Sequence, residues 1–264
     1  MTELAALESG GQIFFAEHER RDHEPHTAIT ELIQGIWAHD PGFARKHLRA
    51  RIHATSKQLN ALERGMVKVA AKRITAGLTS EAIRKILDPT SNKEWIRLKA
   101  KDAPPLLDAA EPRGADPISI ALDFESKTLH ASEKLHEKDR RVAAVLVSPE
   151  RKLLAAAINT NAKDRTRHAE VNLIQGWWAR ENRAIPQDCE LYVTVQCCRM
   201  CAGMIWDSCE NPWSLRVHYL RPDPGPMAQG TILQAGTPER RLVATCALEL
   251  ELQLETQFPA PSSS

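Results

Sequence analysis

The chain has 264 residues, 42% of them hydrophobic and 26% charged, with a formal net charge of +1. That is an ordinary globular composition, long enough for one large domain or two modest ones. Six cysteines are too few and too unevenly spaced for a disulfide scaffold; three crowd into residues 196–201, which suggests metal or catalysis in a reducing compartment.

The opening MTELAALESG lacks the basic and apolar regions of a signal peptide. No apolar run approaches the roughly 18 residues of a membrane span. A cytoplasmic protein with no membrane partner is expected. Residues 1–11 read as loosely ordered, and residues 12–101 as helical. Leu59, Leu62, Met66, Val69 and Arg73 recur at three- and four-residue steps, with Arg64, Lys68 and Lys72 on another face. Residues 45–101 hold 15 Lys plus Arg against four Asp plus Glu, so the rest of the chain is net acidic. A mostly helical, basic N-terminal domain is predicted over residues 1–103. The segment KDAPPLLDAAEPRGADP carries four prolines, and residues 104–116 are read as a linker. No internal repeat is read.

After the linker the texture changes. Residues 118–136 read as an amphipathic helix with Pro117 at its start. RVAAVLVS (141–148) is an almost continuous apolar run, as in a strand buried on both faces. KLLAAAIN (152–159) follows a Pro149-Glu150 turn, making a hairpin. Residues 170–180 read as a helix, CELYVTVQ (189–196) as a strand, and a further helix is expected to start at Cys198. SLRVHYL (214–220) reads as a strand, PMAQGTILQAG (226–236) as helix-like, and RRLVATCAL (240–248) as a strand before a last helix. This alternation predicts an α/β fold, three-layer α-β-α with a mixed five-stranded sheet, over residues 117–258. Residues 259–264 are read as a flexible tail. Cys189, Cys209 and Cys246 are expected to be buried free thiols.

Zinc favours imidazole nitrogen and thiolate sulfur in a tetrahedron. Cys198 and Cys201, at i and i+3 on the first turn of a helix, can both reach one ion. His168 and Glu170 would point apart in mid-helix, but at a helix start both can lean toward the open end. Two helix N-termini converging on one ion favour thiolate over thiol. Three protein ligands leave a fourth position for water, as in catalytic rather than structural zinc.

TRHAEVNLI followed by LYVTVQCCRMCAGMI resembles the cytidine/deoxycytidylate deaminase-like superfamily, whose signature is H-x-E…P-C-x-x-C. The resemblance covers roughly residues 117–255. It implies a hydrolytic deaminase with one zinc per chain, held by His168, Cys198 and Cys201, and Glu170 as proton shuttle. It also implies substrate contacts at Asn159, Ala169 and Gln196, Asn159 matching a base-contacting asparagine of tRNA adenosine deaminase-like members. Cys197 stands where the family has proline. A homodimer is expected.

The superfamily divides by whether the fourth and fifth strands run antiparallel or parallel. RPDPGPMAQGTILQAGTPE is long enough for the crossover that parallel strands require. The pattern is therefore closest to the tRNA adenosine, guanine and deoxycytidylate deaminase-like branch. Three readings stay open: a deaminase acting on a nucleobase in RNA or another nucleic acid, gripped by the basic domain through Arg64, Lys68 and Lys72; a free nucleotide or nucleobase deaminase; and a non-catalytic domain stapled by zinc.

Overall fold

The first 19 residues do not form a helix. Gly10 and Gly11 sit at φ values of 64° and 81°, a left-handed pair that glycine adopts without strain. The chain turns back there, and β1 (Thr2–Ser9) and β2 (Gln12–Glu19) pair antiparallel. This computed structural model describes residues 2–107, 117–127, 141–233 and 244–246.

The hairpin is followed by α1 (Ala28–His39), the short α2 (Ala44–His47) and β3 (Arg51–Ala54), which pairs antiparallel with β1. Then come α3 (Ala61–Ala70), β4 (Arg73–Thr75), α4 (Ser80–Leu87) and β5 (Trp95–Arg97). The sheet order is β4-β3-β1-β2-β5, with β4 parallel to β3 and β5 parallel to β2. The expectation of a mostly helical N-terminal domain, loosely ordered at its start, is thus corrected to α/β. The helical period over residues 59–73 belongs to α3 alone, which ends before Lys72. The strands flanking it, β3 and β4, are four and three residues long, too short to set a period of their own against it.

In the second half, α5 (Pro117–Lys127) precedes the hairpin of β6 (Ala143–Val147) and β7 (Leu153–Ile158). There follow α6 (Ala169–Glu181), β8 (Glu190–Val195), α7 (Arg199–Asp207), β9 (Arg216–Arg221) and β10 (Ala244–Cys246). The order is β10-β9-β8-β6-β7, a mixed sheet in which β8, β9 and β10 run parallel. α5 packs on one face with Ala143, Val145 and Tyr192; α6 and α7 cover the other with Ala144, Leu146 and Leu191. The three layers follow from strands apolar on both faces. Residues 226–233 turn without forming the expected helix. The remainder of that crossover, the last helix, most of the linker and the tail lie outside the described residues.

The two halves share a plan. In each, a hairpin leads through a helix to a strand antiparallel to the hairpin's first strand, then through a second helix to a parallel neighbour. β4-β3-β1-β2 thus repeats β9-β8-β6-β7 in order and sense. The likeness reaches single bonds: Leu4 N–H donates to Thr55 Oγ1 (2.9 Å) as Ala143 N–H donates to Thr194 Oγ1 (3.1 Å). It reaches the sequence too. LIQGIWA (32–38) in α1 and LIQGWWA (173–179) in α6 agree at six of seven positions. The expectation of no internal repeat is therefore corrected. α1, α3, α6 and α7 lie between the two sheets in one continuous core.

Candidate active site

α6 and α7 both begin at residues that carry metal-ligand side chains. His168 and Cys198 are the N-caps, each with extended backbone and neither making a side-chain cap bond. Their side chains are thereby left to turn toward each other. His168 Nδ1 lies 3.4 Å from Cys201 Sγ and 3.6 Å from Cys198 Sγ, and the two sulfurs are 3.6 Å apart. A tetrahedral zinc with ordinary Zn–S and Zn–N bond lengths requires edges of about 3.8 Å between sulfurs and about 3.6 Å from sulfur to nitrogen. The three side chains therefore fit the ion, and their donors all lie within 4.8 Å of one another.

The two sulfurs are placed unequally: burial, and then the neighbouring Cys198, push the Cys201 thiol well up. The Cys198 thiol is held well below its usual pKa by hydrogen bonding from Cys201 and by His168. Burial pushes the Glu170 carboxyl up, against the pull of His168. Cys197 is also buried and its thiol pushed up by desolvation, with Glu170 the next cause. It sits beside the carboxylate rather than among the metal donors.

His168, Glu170 and Cys198 open on a cavity of about 190 Å³, shared with Asn159 and Gln196. Asn159 is held there by its amide, which donates to Asn161 Oδ1 at 2.8 Å. Gln196 ties down the loop after β9, accepting from Asp223 N–H (3.2 Å). Ala169 is buried in the core at the start of α6 rather than on the cavity wall. Sequence reasoning did not find Asn161, Asp223, Met227 or Val69, which also line the cavity. Asn161 could have been found from its place two residues beyond Asn159. Val69 carried no signal, because it comes from α3 in the other half.

Arg64, Lys68 and Lys72 do not line this cavity. They border an adjoining depression of about 370 Å³ that shares Met227 with it. Arg64 and Lys68 are exposed on α3 and Lys72 lies beyond its end, so the expected three-residue ladder along one helix is corrected to two helical residues and one in the following bend. Arg167, beside the histidine, turns inward to Gln175 (2.8 Å) and the Lys101 carbonyl. Trp177 is buried against the Ala184 carbonyl.

Residues 133–244, somewhat less than half of the chain, match the family model described as Bd3614-like deaminase. Solved structures similar to the chain include a tRNA:A34 deaminase (23% identity, 53% of this chain and 96% of the other, TM-score 0.38). They include guanine deaminase from Bacillus subtilis (21%, 56% and 96%, TM-score 0.34). They also include dCMP deaminase from the cyanophage S-TIM5 (20%, 42% and 90%, TM-score 0.26). No curated protein matches the chain.

Proposed function

We propose that this protein is a zinc-dependent hydrolytic deaminase of an amino-bearing nucleobase carried in RNA or another nucleic acid. The observation that carries the chemistry is the triangle of His168, Cys198 and Cys201, with zinc-sized edges, beside a buried carboxylate in a cavity of about 190 Å³. Zinc held there supplies the Lewis acidity that makes water nucleophilic near neutral pH. Glu170 accepts a proton from the attacking water and delivers protons to the ring nitrogen and the departing amine. Water is consumed, the ring carbon gains an oxo group, and ammonia leaves. Asn159 and Gln196 orient the base.

The nucleic-acid reading rests on Arg64, Lys68 and Lys72 bordering the adjoining depression. Among the described residues neither Lys68 nor Lys72 forms an ion pair. A backbone phosphate next to a bound base would meet them. A free nucleotide is the second reading, since a single phosphate would meet the same charges. Ammonia release should be measured from nucleosides, nucleotides, single-stranded DNA and tRNA by the zinc-loaded protein. Turnover of RNA above that of nucleotides is expected. Turnover of nucleotides alone would select the second reading, and none from any of them would leave zinc as a structural staple.

A further inference from the structure

We propose that residues 2–98 are a metal-free second copy of the deaminase-like fold, which serves as a built-in partner subunit and contributes Val69 of α3 to the substrate cavity. In an isologous pairing, if residue i touches j, then the counterpart of i touches the counterpart of j. The contacts between the halves obey this rule. A shift of 141 residues carries Gln34 onto Gln175, and the two side chains exchange hydrogen bonds of 3.2 and 3.0 Å. The same shift carries Pro25 onto Thr166. Gln175 donates to the Pro25 carbonyl and Gln34 to Thr166 Oγ1.

α3 and α7 repeat the pattern under a shift of 138, which carries Gly65-Met66 onto Gly203-Met204. A Cβ on Gly65 would collide with the Arg199 carbonyl and lie 2.8 Å from Met200 Cα. One on Gly203 would collide with the Ala61 carbonyl and lie 2.9 Å from Leu62 N. Ala61 and Leu62 are themselves the counterparts of Arg199 and Met200. Each helix carries a glycine where the other's first turn presses against it.

The same shifts show why the first copy is silent. Thr27 stands for His168, Ile29 for Glu170, Asn60 for Cys198 and Glu63 for Cys201. Isoleucine moves no proton, and Asn60 and Glu63 close on each other as a capping box of 2.8 and 3.1 Å. What this copy retains is its contact surface. That surface covers the α7 face and places Val69 on the cavity that holds His168 and Glu170.

The cavity part of this inference rests on the proposed function, so the test includes a readout that does not. In the full chain, Gly65→Leu should weaken cobalt(II) binding at least tenfold, read from the thiolate charge-transfer band, because it displaces the first turn of α7. Gly42→Ala, whose nearest neighbour to an added Cβ is 3.8 Å away, should leave that band unchanged. Val69→Asp should retain cobalt and fold while raising KM at least tenfold on whichever substrate the wild type deaminates. The wild type should sediment as a single 29.5 kDa chain in place of the homodimer expected from sequence, and a stable dimer would overturn the role of built-in partner. Unchanged cobalt affinity in a folded Gly65→Leu would overturn the built-in contact. If Gly65→Leu does not fold, an unchanged KM in Val69→Asp would overturn the contribution of α3. If the wild type deaminates nothing, the substrate reading fails while the cobalt result still decides the contact.

Discussion

Glu170 lies one residue inside α6, and His168 caps the same helix. A carboxylate this close to three metal donors could be a fourth ligand or a proton carrier, and substitution separates the two roles. Glu170→Gln preserves shape and removes the proton acceptor. It should retain one zinc per chain by metal analysis and lose about 10²- to 10⁴-fold in turnover, the usual contribution of a positioned general base. Loss of zinc instead would make Glu170 structural. Cys198→Ala and Cys201→Ala should each release the metal and lower the unfolding temperature, because metal binding is coupled to folding. Cys197→Ala should keep it, since the Cys197 thiol faces the carboxylate. If Cys197→Ala empties the site while Cys198→Ala does not, the ligand register is wrong.

At the scale of elements, the second half was legible because each segment carried one period. A run such as Ala143–Val147 cannot be half exposed, and His168 and Cys198 announced helix starts through their spacing. The first half was illegible for a physical reason. β3, β4 and β5 are four, three and three residues long, and α3 between them is the strongest periodic signal. The repeat is faint in sequence because the strands need only stay apolar; it stands out over LIQGIWA and LIQGWWA, where Gln34 and Gln175 bind each other. Helix-interior glycine costs about 1 kcal/mol relative to alanine, yet α3 and α7 each keep one at their crossing. Gly203→Ala should therefore destabilise despite its better helix propensity, by about 1–3 kcal/mol as overpacking does, in urea unfolding. A stabilised Gly203→Ala would mean that the crossing is looser than the Ala61 carbonyl's position requires.

For the whole molecule, the uneven charge acquires a location. Part of the basic excess is answered within the first half: Lys93 pairs with Glu8 at 2.7 Å and Arg97 with Glu17 at 3.2 Å. Lys68 and Lys72 have no such partner among the described residues, and they border the depression beside the cavity. Solvated lysines would account for their exposure alone, but their position in the depression adjoining the cavity is where a phosphate next to a bound base would lie. A phosphate contact releases counterions, so RNA affinity should fall with salt at a log–log slope near −0.7 per neutralised phosphate on a single strand. Changing Arg64, Lys68 and Lys72 together to Gln should flatten that slope by about 2 and weaken binding similarly for all sequences. Zinc content should not change, because none of the three faces the metal donors. RNA binding absent even at about 50 mM salt, where phosphate contacts are strongest, would remove the nucleic-acid reading. These cations would then be left to a single nucleotide phosphate, and the triple variant would raise KM for nucleotides while sparing nucleosides.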